Sequence, residues 1–226
     1  MKSYLTTVLL VCSAAVFESF RHGMEGFGAE YLLLLIIASV ATPHSINLGH
    51  EARISTVQPL ILLAIVLYGT GEAMFMAAVC MTYYWIVCRP RPKPHQAVFN
   101  IANYVLCGWL GGHAYLAAGG RPADVTSMQS LLALLVTVAL IFLLNTALVS
   151  IAVSLDRRIN VFTVWYEKYS WTFSSYLAAA SFVIVAILLR DSVGTVGVFV
   201  VLPFCVLIYH FYRVYFPRAA AGNHRT

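Results

Sequence analysis

The sequence predicts an all-α fold, a polytopic integral membrane helical bundle with about eight transmembrane segments, some of them short or re-entrant. Three observations lead there. Hydrophobic residues make up 61% of the 226 and charged residues only 10%, with a mean hydropathy of +0.82, outside the range of ordinary soluble domains. The apolar residues fall into long runs divided by glycine and proline breakers. Between two of those runs lies Arg89-Pro90-Arg91-Pro92-Lys93-Pro94-His95, which no helix interior tolerates and no bilayer core accepts.

A crossing takes roughly 20 apolar residues, and on that scale the segments are 4–20, 27–42, 54–68, 72–87, 98–118, 131–155, 171–189 and 193–216. The second, third and fourth are short enough for a re-entrant or half-buried path. Each run stops at a breaker: Gly23, Gly26 and Gly28 after the first; Pro43 to Gly49 after the second; Gly69-Thr70-Gly71 after the third; Gly119-Gly120-Arg121-Pro122 after the fifth. One membrane domain, residues 1–217, and a short cytoplasmic tail, 218–226, complete the expected organisation. Met1-Lys2 with the apolar stretch to Phe17, and Ser13-Ala14-Ala15 as a small-residue site, also fit a cleavable signal peptide.

Charge sets the orientation, because short loops rich in Lys and Arg stay cytoplasmic. With the proline-rich loop inside and each segment reversing the side, Lys2, Arg53, Arg89, Arg91, Lys93, Arg157, Arg158, Lys168, Arg213, Arg218 and Arg225 fall inside, and Arg21, Arg121 and Arg190 outside; eleven of the fourteen cations therefore agree. Both termini are then expected in the cytoplasm, which for such a chain is that of a bacterial inner membrane. The formal charge of +5 lies in loops beside apolar runs, which argues against a nucleic-acid face.

Residues 156–170 combine Trp165, Tyr166, Tyr169 and, just beyond, Trp171 with Arg157, Arg158 and Lys168, the pattern of a short amphipathic helix at the headgroup boundary. It serves either as an aromatic anchor or, through Trp165, Tyr169 and Trp171, as a docking surface for a cytoplasmic partner. Polar residues inside the runs are the ligand-site candidates: Glu72, Asn100, Asn103, His113 and Asn145, since polar groups in lipid usually face the protein interior. Asn100 and Asn103, three apart, share a helix face; their plainer role is interhelical bonding. His113 follows Gly111-Gly112, which permits close helix approach. Glu18, Glu30 and Glu72 gather near the outer ends, where they could line an acidic vestibule for a cation or amine, or simply touch water.

The five cysteines, Cys12, Cys80, Cys88, Cys107 and Cys205, sit in or beside apolar runs without zinc or redox spacing. No metal or other cofactor is expected. No phosphate loop, His-Glu-x-x-His, nucleophile elbow or paired-carboxylate motif is present in the sequence, so the chain is not expected to be an enzyme.

Several stretches, in order, carry a resemblance: the run 54–78 broken at Tyr68-Gly69, the cationic loop, Phe99-Asn100-x-Ala102-Asn103, Tyr115 with Gly119-Gly120, Leu144-Asn145-Thr146-Ala147-Leu148-Val149, the Trp165-Tyr166-Glu167 loop leading to Trp171, and Leu202-Pro203 followed by Tyr209-His210-Phe211-Tyr212-Arg213. Over about residues 50–216 this resembles the multi-helix membrane sensor domain that precedes the catalytic part of bacterial HD-GYP phosphodiesterases and GGDEF diguanylate cyclases. Phe99-Asn100 and Leu144-Asn145-Thr146 are its most distinctive parts. Such receptors continue into a catalytic domain, whereas only 218–226 follow Pro217 here; an isolated input module and a stand-alone relative both stay open, and no cyclic-dinucleotide chemistry is carried over.

The resemblance implies a sensory input module that binds a small ligand or senses membrane state and signals through its last helix to a cytoplasmic protein. A small-solute transporter, such as the substrate-binding subunit of a vitamin importer, and an assembly protein acting through the aromatic loop are the competing expectations.

Overall fold

The computed structural model describes residues 2–21, 27–43, 46–47, 53–54, 57–194 and 197. The helices are α1 (Lys2–Arg21), α2 (Ala29–Ala41), α3 (Gln58–Leu67), α4 (Thr70–Val87), α5 (Pro94–Ala117), α6 (Met128–Arg157), α7 (Val161–Val164) and α8 (Phe173–Val193). Between α2 and α3, β1 (Ile46–Asn47) and β2 (Arg53–Ile54) pair antiparallel, Ile46 opposite Ile54. A π-helical turn (Trp165–Tyr169) and a 3₁₀ turn (Ser170–Thr172) join α7 to α8. Seven of the eight expected segments thus coincide with helices; the eighth, 193–216, lies almost wholly outside the described residues.

Boundaries follow local chemistry. Ile54, expected to open the third segment, belongs to β2, and α3 starts at Gln58 with Pro59 in its first turn, where a missing N–H costs nothing. Pro94 similarly opens α5, while the Gln96 side chain accepts a hydrogen bond from the Lys93 N–H at 3.2 Å; the cationic loop therefore ends in the helix's first turn. Ser127 caps α6 by accepting from the Ser130 N–H, and Arg158 ends it in the left-handed conformation, φ 56°. Asn160 caps α7 at the Phe162 N–H, 2.8 Å.

The helices run alternately. α4 and α5 pack antiparallel, because a Cβ on Gly108 would lie 3.2–3.3 Å from the backbone of Ala73 and Met74, and one on Gly112 would collide with Thr70. Glycines four apart thus bring two helix backbones together. α1 runs parallel to α5, with Tyr4 against Phe99 at one end and Glu18 against Trp109 at the other. α6 returns beside α5, and α8 returns beside α6. α3, apolar all round, is enclosed by α4, α5 and α8, with every residue from Leu60 to Val66 buried, as an unsided apolar helix requires.

Asp, Glu, Lys and Arg are absent from 73–87, 97–112, 128–155 and 173–189. The charged positions therefore collect at two ends of the bundle, one near Lys93 and one near Glu30, separated along α5 by about 30 Å, the rise of roughly 20 residues from Lys93 to His113. Two runs, Met128–Arg157 and Val161–Val193, are long and apolar enough to cross a membrane, and in each only 39% of the most apolar window is buried. Outward positions on α6 such as Leu132, Leu135, Val136 and Leu143 are exposed leucines and valines.

Candidate functional site

A chain of hydrogen bonds crosses the bundle interior. Asn103 on α5 is 1% exposed; its Nδ2 donates to Oδ1 of Asn145 on α6, whose own Nδ2 donates to the buried Tyr176 hydroxyl on α8. The Cys107 thiol lies 4.0 Å from Asn103 Oδ1. Two amides in series suit this task because each carries both donors and an acceptor. Three helices are tied by this chain, whose ends, Asn103 and Tyr176, are buried and whose middle, Asn145, is half-buried. Membrane contacts of this kind average about 0.6 kcal/mol, yet deleting one partner strands the others, at about 1–3 kcal/mol.

The next residue of α6 makes a separate contact toward the Lys93 end. Thr146 donates its hydroxyl to Phe142 O at 2.6 Å and accepts from the Trp165 indole N–H at 2.9 Å. Phe142 sits among Tyr176, Phe173 and Trp165, with ring centroids at 5.4, 5.0 and 6.2 Å. One stretch of α6, residues 142–146, therefore holds the polar chain, the start of α8 and the π-helical turn together.

A second polar group lies at the Glu30 end. The Trp109 indole N–H donates to Glu18 Oε2 at 2.7 Å, His113 Nε2 is 3.4 Å from Glu18 Oε1, and His113 Nδ1 is 2.9 Å from Trp109 O. Arg190 of α8 reaches Glu30 of α2 with its Nε at 3.0 Å and a second nitrogen at 3.4 Å. Glu72 is buried in the first turn of α4, where the helix dipole favours a carboxylate. The Tyr31 hydroxyl donates to Glu72 O at 2.8 Å. The three carboxylates of the expected acidic vestibule share this end, with Glu18 and Glu30 engaged by α5 and α8.

The five ligand-site candidates thus divide. Asn103 and Asn145 bond directly; Asn100 is half-buried one turn away and outside the chain. Glu72 and His113 belong to the other end, His113 about 15 Å along α5 from Asn103. Of the docking candidates, Trp165 faces inward onto Thr146 and the Trp171 indole nitrogen is buried without a hydrogen-bond partner, while Tyr169 is half-buried. The outward aromatics of this turn are Phe162 and Tyr166, 78% and 73% exposed. Sequence reasoning missed Tyr176, Trp109 and Asp124, and singled out Thr146 only as part of the Leu144-Asn145-Thr146 motif. Among the described residues no group of three His, Cys, Asp or Glu could hold a metal ion.

Asp124 fixes the α5–α6 turn. Its carboxylate accepts from the Ser127 hydroxyl at 2.6 Å, the Thr126 N–H at 2.8 Å, the Thr126 hydroxyl at 2.9 Å, the Ser130 hydroxyl at 3.0 Å and the Ser127 N–H at 3.2 Å. The Ser127 hydroxyl and then the Thr126 groups hold this carboxyl well below the usual carboxylate range. Tyr115 donates to Arg121 O at 2.8 Å, and the Ala123 N–H reaches Val66 O at 2.8 Å, fastening the turn to α3.

No protein-family model, curated protein or solved structure matched this chain. The functional reading therefore rests on geometry.

Proposed function

We propose that the chain is a multi-pass protein of a bacterial inner membrane, with the Lys93 end cytoplasmic, and that it works as a sensory input module. A small ligand, or the state of the bilayer, shifts the packing of α5 against α6, and the shift reaches the cytoplasmic face. The observation that carries this reading is the hydrogen-bonded path Asn103–Asn145–Tyr176, with the separate Trp165–Thr146 bond at the adjacent residue of α6. Together they link the bundle interior to the turn before α8. The sequence motifs that resemble input domains, Phe99-Asn100 and Leu144-Asn145-Thr146, lie on this path or one turn from it.

The membrane reading draws support from the two charged ends about 30 Å apart, close to a hydrocarbon core's thickness, and from the apolar outward faces of α6 and α8. Eight crossings require 193–216 as the last one, and that segment is proposed as the output lever to a cytoplasmic partner. Signalling of this kind needs two packings that differ in affinity for whatever is sensed.

Hydrogen exchange on the full chain in lipid nanodiscs tests the coupling. Asn145→Leu should raise exchange in 159–172 and leave 119–130 unchanged. Exchange in 159–172 equal to wild type would overturn the path as a signalling element. Transport is the competing reading, favoured by the shortness of α2 and α3, 13 and 10 residues; uptake of a labelled vitamin-like solute by proteoliposomes carrying the purified chain would support it instead.

A further inference from the structure

We propose that the Lys93 end of the bundle, centred on residues 156–168, is a binding surface for anionic phospholipid headgroups. The proposal deepens the membrane reading above and rests on it.

The segment 159–168 has two faces. Val164 is 1% exposed and Trp165 bonds to Thr146, so one side is packed onto α6. On the other side Phe162 and Tyr166, four residues apart, stand out together with Ile159. An apolar surface of this kind on a short helix suits the boundary between acyl chains and headgroups.

Charge decides which lipids fit. Arg157 and Arg158 are exposed immediately before the apolar face and Lys168 follows it. Tyr4, whose hydroxyl donates to Leu148 O, and the antiparallel run of α5 beside α6 bring Lys2, Arg89, Arg91 and Lys93 to the same end. Among the described residues, with Arg53 of the hairpin that follows α2, that makes eight cations against Asp156 and Glu167, a net of +6 (8 − 2). At the other end, Arg21, Arg121 and Arg190 stand against Glu18, Glu30, Glu72, Asp124 and Asp191, a net of −2 (3 − 5). Guanidinium groups bind phosphate oxygens in pairs, and a basic juxtamembrane cluster is drawn to a leaflet rich in anionic lipid. A zwitterionic lipid would satisfy Phe162 and Tyr166 but leave the cationic excess uncompensated. The inward placement of Trp165 also takes away an aromatic that a protein partner would grip.

The test is competition between phosphatidylglycerol and phosphatidylcholine for the purified full chain, read by native mass spectrometry as retained lipid. Wild type should retain phosphatidylglycerol several-fold over phosphatidylcholine, and the preference should fall as salt rises. Arg157→Gln/Arg158→Gln/Lys168→Gln should bring the two lipids to parity, Phe162→Ser/Tyr166→Ser should lower retention of both, and Arg121→Gln at the opposite end should change nothing. Equal retention in wild type, or a preference untouched by the triple substitution in a monodisperse sample, would overturn the proposal. A chain that enters nanodiscs of either lipid without discriminating fails this inference alone. One that stays monodisperse without detergent fails the membrane reading itself.

Discussion

The two connections of α6 are built on opposite plans. At its N-terminus the turn from α5 is closed by one carboxylate, Asp124, which gathers five hydrogen bonds from residues at most six positions away. At its C-terminus the chain passes through a left-handed residue, a four-residue helix, a π turn and a 3₁₀ turn before regular helix resumes. There the fastening is long-range and aromatic, with Trp165 on Thr146 and Phe142 among three rings. A locally satisfied turn holds one shape, whereas π and 3₁₀ geometry marks places where helices hinge. In the proposed reading the Asp124 turn is the fixed end of α6 and the aromatic turn the end that responds.

Breaking the fixed end should have the largest effect. Asp124→Ala removes all five bonds at once, so it should lower the thermal midpoint more than any substitution in the aromatic turn and raise hydrogen exchange through 119–130. Next comes Asn145→Leu, which strands the Asn103 amide and the Tyr176 hydroxyl away from water; a loss of about 1–3 kcal/mol is expected, measured by chemical unfolding in detergent. Trp165→Phe keeps an aromatic ring, though a smaller one, and deletes the donor to Thr146. It should cost about 1 kcal/mol and loosen 159–172 in hydrogen exchange while 119–130 stays protected.

The smallest effect is expected from pH. The Asp124 carboxyl is held below the ordinary carboxylate range, so the stability it adds is fully present above that range and is lost progressively as pH falls from that range through the lowered value. Hydrogen exchange of 119–130, corrected for intrinsic rates, should be flat from neutral pH down to the usual carboxylate range and rise as pH falls further. Exchange that stays flat below that range would show that the hydroxyl and N–H donors do not hold the ionised form.

Much of this fold is legible in the sequence because apolar runs and breakers are local signals. Gly69-Thr70-Gly71 and the prolines at 59 and 94 mark real helix ends. The site is harder to read. Asn103 and Asn145 stand out as amides in apolar runs, but Tyr176 looks like one more aromatic residue, and its role depends on α8 returning beside α6. Glu18 and His113 meet only because α1 runs parallel to α5, a pairing no spacing reveals. The aromatic turn misleads for a different reason. A π turn advances more than 3.6 residues per turn, so helical phase carried across it misplaces Trp165, which turns in, relative to Tyr166, which turns out. Asp124-Val125-Thr126-Ser127 was readable as a turn with a helix cap, a signal that attention to ionisable residues inside the apolar runs passes over.

Cysteine accessibility in intact cells and in inverted membrane vesicles tests the account most directly. With a membrane-impermeant thiol reagent, Lys93→Cys should react only from the cytoplasmic side and Thr126→Cys only from the outside, because α5 carries the chain from one charged end to the other. Labelling of both positions from the same side would contradict a crossing by α5, and with it the orientation on which the proposed signalling path depends.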